Sequence, residues 1–142
     1  YTLDYASNMD LEQRPEILKN YRLVLSAGHD EYWSAPMRDS LEKFIADGGN
    51  AAFFSGNSVC WQVRWEGGDR ALTCWKQSHN QDPVYPTDDR SLLSSLWSHH
   101  LINRPENTMT GVGFLHGGYH KSHGQFMDGK GSYTVHLSII PI

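Results

Sequence analysis

A chain of 142 residues with 39% hydrophobic content is long enough to bury the core of one domain. Its 12 basic and 16 acidic residues give a formal charge of -4 with no Lys/Arg run, which argues against nucleic acid as a partner. No stretch approaches the ~20 consecutive apolar residues that cross a bilayer, so no membrane partner is expected.

Taken in order, residues 1–6 have the pattern of a first strand, and residues 12–19 that of a short helix with Pro15 in its first turn. Residues 22–27 (RLVLSA) form a compact apolar run ended by Gly28, the pattern of a strand buried on both faces. Ser34 is suited to cap a helix over residues 35–47, with Pro36 in its first turn and Met37, Leu41, Phe44 and Ile45 on one face. The glycine pair Gly48-Gly49 stops that helix, and residues 51–54 (AAFF) make the next buried strand, parallel to the first. Residues 61–65 alternate at period two, residues 67–69 make a turn and residues 71–76 resume an extended pattern, which predicts a hairpin. Residues 77–90 read as a loop, 91–97 as a short helix, 103–118 as irregular and 129–136 as a last strand. The pattern predicts one α/β domain over 1–142; the start at Tyr1 suggests a piece of a longer multidomain chain.

The densest chemistry lies in residues 28–33 (GHDEYW), directly after a strand. In open α/β sheets such loops face the ligand cleft. His29, Glu31 and Tyr32 offer a general base, a general acid and a hydrogen-bond donor; alternatively they face solvent or shape the start of the following helix, with Trp33 in the core. Ser55 follows the next strand, but Phe53 and Asn57 replace the flanking glycines of a nucleophile elbow, so Ser55 and Asn57 are read chiefly as turn-shaping residues. Cys60 and Cys74 are too few for a disulfide framework, leaving two half-buried thiols or a single bridge. His116, His120 and His123 lie in a glycine-rich stretch without a carboxylate at ligand spacing. Trp61, Trp65, Trp75 and Trp97, with Tyr85 and Tyr119, either line a sugar-binding groove or pack in the core.

Residues 21–33 (YRLVLSAGHDEYW), the Gly48-Gly49 helix stop, residues 54–57 (FSGN) and residues 60–64 (CWQVR) together resemble the large, or beta, subunit of N,N-dimethylformamidase and its bacterial relatives. Residues 103–114 (NRPENTMTGVGF) resemble a further motif of one bacterial branch. The resemblance implies a flavodoxin-like, glutamine-amidotransferase-like parallel sheet with an added β-hairpin and an irregular C-terminal part, preceded by further domains. It also implies hydrolysis of a small amide, with a mononuclear iron held by tyrosine and glutamate side chains. Tyr32 matches a tyrosine of the strand-end motif and is the metal ligand that carries over. The tyrosine expected before the tryptophan of the second motif is Cys60 here; either a thiolate favours zinc or ferrous iron over ferric iron, or the site has lost its metal. For the acidic ligand two positions stay open: Glu106, or a matching position beyond Ile142.

The reading is therefore a hydrolase of a small amide or related C–N bond, with a small-molecule substrate and iron as the cofactor the resemblance suggests. His29 and Glu31 take the acid/base roles, Tyr32 is ligand or donor, and Asn57 or Arg64 polarises the substrate. Residues 28–33 and 57–64 should converge on one cleft, with Arg64 gripping the carboxylate of Asp30 or Glu31 bidentately. The alternatives are a non-catalytic α/β module that binds a carbohydrate or other small ligand, and a purely structural domain.

Overall fold

The computed structural model describes residues 2–68 and 70–113. Helix α1 (Asn8–Gln13) begins at Ser7, whose hydroxyl accepts from the Asp10 N–H while the Asp10 carboxylate accepts from the Ser7 N–H, a reciprocal capping box. It stops at Arg14, which leaves helical geometry, and Pro15 opens a separate 3-10 helix (Pro15–Asn20). The single helix expected over 12–19 is thus two short ones, because Pro15 cannot donate into a continuing helix. Residues 2–6 form no strand; Leu3 and Tyr5 project outward at 60% and 91% exposure, with no strand pairing them among the described residues.

Strand β1 (Leu23–His29) runs two residues beyond its expected end, with Gly28 at φ +91 inside it. A short strand β2 (Tyr32–Ser34), not foreseen, leads into helix α2 (Ala35–Ala46), where the Ser34 hydroxyl accepts from the Met37 N–H. Met37 and Leu41 are fully buried, Phe44 nearly so and Ile45 half-buried, in a core with Leu11, Leu18, Trp33, Val59 and Trp97. Strand β3 (Asn50–Gly56) pairs in parallel with β1, from Leu23 opposite Asn50 to His29 opposite Gly56. Strand β4 (Trp61–Glu66) pairs in parallel with β2 and antiparallel with β5 (Ala71–Thr73), which is the expected hairpin with a shorter second arm. The architecture is mixed α/β, with a two-stranded parallel sheet and a three-stranded mixed sheet among the described residues.

Two further expectations are corrected. Among the described residues the β1–β3 sheet is covered on one face only: Val24, Ala51 and Phe53 pack on the core, whereas Leu23, Leu25 and Phe54 are 49%, 48% and 73% exposed. Residues 91–97 are not helical but lie along β4, with Leu96 bridging Trp61 and Ser95 C=O accepting from the Gln62 N–H at 2.8 Å. The Gln62 side chain donates to the Ser91 and Leu93 carbonyls, so this segment satisfies its backbone against β4 instead of within a helix. A 3-10 helix (Lys76–Gln81) opens the expected loop, and helix α3 (Asn107–Thr110) interrupts the irregular region. The strand expected over 129–136 lies outside the described residues. No helix among the described residues is long and apolar enough to cross a membrane.

Candidate functional site

Between β1 and β2 only Asp30 and Glu31 intervene, and backbone bonds tie this joint to the turn after β3. Asp30 N–H donates to Gly56 C=O at 3.3 Å, Val59 N–H to Asp30 C=O at 2.9 Å, and Trp61 N–H to Glu31 C=O at 2.8 Å. The turn bends through the left-handed region at Asn57 and Val59, with φ of 54 and 55. For a β-branched residue this conformation is strained, and complete burial of Val59 holds it in place. The strand-end loop and the 57–61 turn therefore meet, as the sequence suggests.

Glu31 is the hub of the meeting point. Its side chain is 11% exposed, and its Oε2 accepts from Asn57 Nδ2 at 2.8 Å and lies 3.3 Å from His29 Nε2. The neighbouring Tyr32 hydroxyl also favours the ionised form of this carboxyl. Burial pushes the Glu31 carboxyl up, but the bonds from Tyr32 and Asn57 and the charges of His29 and Lys76 outweigh it, so it lies below the usual carboxylate value. The bond to Glu31 raises the Tyr32 phenol above its ordinary value, against the opposing pull of Lys76. At neutral pH the pair is a carboxylate and a phenol. Gly56 makes room for the imidazole, since a Cβ there would lie 3.1 Å from His29 Nδ1.

Asp30 turns away from this group. It accepts from Ser26 Oγ at 2.7 Å and from Trp33 Nε1 at 2.9 Å, which fixes the joint against the core. Ser55 joins a hydroxyl chain, 3.1 Å from Ser26 Oγ and 2.5 Å from Ser58 Oγ, consistent with turn shaping.

Arg64 does not reach Glu31 or Asp30, contrary to expectation. Its guanidinium grips Asp82 bidentately at 2.7 and 2.8 Å, donates to Leu92 C=O at 2.7 Å and pairs with Glu66 at 3.2 Å. The strand register explains this: Trp61 to Val63 lie against β2, and Arg64 begins the pairing with β5, three residues past the joint. Trp97 lines no groove either; it is 1% exposed, with the Arg38 and Arg104 guanidinium groups 4.6 and 5.4 Å from its ring.

Lys76 is the residue that sequence reasoning missed. Its Nζ donates to the Tyr32 hydroxyl at 2.7 Å and lies 5.0 Å from the Tyr32 ring and 5.4 Å from the Trp61 ring. Only closure of the β4–β5 hairpin brings it there, and the one signal in the sequence was its place at the end of that hairpin. Cys60 is 1% exposed, and burial, with the carboxylates of Glu106 and Glu31 nearby, pushes its thiol up to about 12. Cys60 and Cys74 are both free thiols. Among the described residues no group of three or more His, Cys, Asp and Glu side chains is placed to hold a metal ion. His116, Tyr119, His120 and His123 lie outside the described residues.

Against known families, residues 1–135 match the model of the N,N-dimethylformamidase beta subunit-like C-terminal domain. The chain is 34% identical over 64 residues to an N,N-dimethylformamidase beta subunit of Alcaligenes sp, and likewise to one of Paracoccus aminophilus. In each case the aligned stretch covers 44% of this chain and 8% of the relative. No solved structure matches the chain at a significant level.

Proposed function

The chain belongs to the family of N,N-dimethylformamidase beta subunit-like C-terminal domains, and from that premise we propose that it serves hydrolysis of the C–N bond of a small amide at the cluster of His29, Glu31, Tyr32 and Asn57. The observation that carries this reading is the convergence of three side chains on the Glu31 carboxylate at the end of neighbouring strands. A carboxylate held ionised at that place can accept a proton from an attacking water. The water oxygen bonds to the acyl carbon, the C–N bond breaks, and the leaving amine takes a proton. His29, exposed beside Glu31, is placed to deliver it. Asn57 keeps the Glu31 carboxylate oriented, and Arg64 has no part in the chemistry.

The finer fold assignment, a flavodoxin-like, glutamine-amidotransferase-like sheet, belongs to the same proposal. It is supported by the parallel β1–β3 pair with α2 between them in sequence. Whatever larger protein the relatives' length implies, the test is made on the full chain: Glu31→Gln should lower hydrolysis of formamide and its N-methyl derivatives by about 100-fold or more, the scale of a lost general base. Unchanged hydrolysis in normally folded Glu31→Gln, or no hydrolysis by the wild-type chain, would refute the reading.

A further inference from the structure

Lys76 is held for a purpose that packing alone does not explain. Its backbone lies in the left-handed region at φ 53, a strained conformation for a residue with a side chain. The strain is locked from both sides: Trp75 N–H donates to Ser94 Oγ at 2.9 Å and the Lys76 carbonyl accepts from Ser95 Oγ at 3.4 Å. The result aims the ammonium at the Tyr32 oxygen, 2.7 Å away, over two aromatic faces and beside the Glu31 carboxylate. Here the Tyr32 oxygen accepts from an ammonium and lies next to a carboxylate.

From this geometry we infer that Lys76 is the resident cation of the cluster, standing against Tyr32 where a metal ion would otherwise stand and offering its remaining N–H groups to the oxygen of a small acyl or carboxylate ligand. The inference rests on the amide-directed reading of the cluster for its ligand class, but its geometry is independent of that reading. A metal ion at the Tyr32 oxygen would need the phenol deprotonated and would face the repulsion of an ammonium at hydrogen-bond distance. Among the described residues, those around Tyr32 thus fit an ammonium and do not fit the iron that the family resemblance suggests. An ammonium with further N–H groups, set over aromatic faces, is a strong donor for a carbonyl or carboxylate oxygen.

Formate is the probe, because it presents an acyl oxygen pair without a side group. Formate titrated into the wild-type chain by NMR should perturb the signals of Tyr32, Trp61 and Lys76; Lys76→Met should weaken binding about tenfold or more, and charge-preserving Lys76→Arg should retain more of it. In parallel, wild-type protein incubated with ferric or zinc salt and desalted should retain no metal at Tyr32. Metal retained at one per chain and lost in Tyr32→Phe would overturn the inference, as would formate binding that is absent in the wild type or equal in Lys76→Met. Should Lys76→Met fail to fold, the wild-type metal and formate measurements decide alone. Hydrolysis is not read in either arm, so formate bound through Lys76 by a protein that cleaves no amide would fail the amide reading and keep this inference.

Discussion

At the scale of single residues, the buried ion pair of Arg64 and Asp82 illustrates how a functional guess and a structural role exchange places. Asp82 has a fully buried side chain and accepts two bonds from Arg64 and two from the backbone N–H groups of Val84 and Ser94. Burial raises its carboxyl, but these four donors outweigh it and hold it below its ordinary 3.8. A depressed carboxyl contributes stability that is present above its unfolded value and lost as pH falls through the folded one. Asp82→Asn should therefore cost about 3 kcal/mol near neutral pH, with Arg64 left underpaired, and should flatten the acid limb of a stability profile. Denaturant unfolding at neutral pH and at about pH 3 checks both parts; an unchanged acid limb would mean the pair is solvated in solution. The sequence could show that Arg64 was a strong partner for a carboxylate, but not which one. Asp82 is 18 residues away in a stretch without periodicity, and no spacing rule joins it to β4. His29, Glu31, Tyr32 and Asn57 were legible because each lies within a few residues of a strand end, where parallel pairing fixes the neighbours.

At the scale of elements, α2 was legible in nearly every detail, since an N-cap, an early proline, an apolar stripe and a glycine stop all agree. Its attachment was not. Arg38 is fully buried on the same helix, donating to the Arg104 carbonyl at 2.5 Å and to the Pro105 carbonyl and Thr108 Oγ1 at 3.0 Å each. The stretch that resembled a family motif, 103–114, includes the strap that receives this guanidinium, and a charged residue inside an apolar stripe gives no hint of that. The glycine pair shows the same limit. Gly48, at φ +97, is the helix stop, while Gly49 has a different reason: a Cβ there would lie 2.3 to 2.5 Å from the Phe44 ring. Gly49→Ala should thus cost ~1–3 kcal/mol through a displaced phenyl ring. Combined with Phe44→Leu it should cost less than the sum of the two single changes, because the smaller side chain vacates the clash. Leu41→Ala, which empties a fully buried site, should cost ~2–5 kcal/mol. Additive costs for Gly49→Ala and Phe44→Leu in chemical denaturation would show that the two do not share the space.

At the scale of the whole molecule, one property was misjudged from the sequence: apolar runs such as RLVLSA and AAFF read as strands buried on both faces, yet the β1–β3 sheet has one face open among the described residues. The inference from composition was physically sound, since parallel sheets are nearly always covered on both sides. The residue choice agrees with that rule, and the packing satisfies it only on the side of α2. Leu25 and Phe54 therefore stand exposed on a sheet two strands wide, a patch that favours association or dye binding over a monodisperse solution. Placing charge there should leave the fold intact, because neither side chain is in the core and surface changes usually stay within ±0.5 kcal/mol. The double variant Leu25→Lys with Phe54→Glu should bind less of an apolar-surface dye and sediment more nearly as a single species. Its unfolding midpoint should stay close to that of the parent chain. A loss of more than about 2 kcal/mol would mean instead that this face is covered in solution, since only burying the new charges could cost that much. The two outcomes are separated by one denaturation curve, and they decide whether the second half of the parallel-sheet rule is met outside the part of the chain that carries β1 and β3.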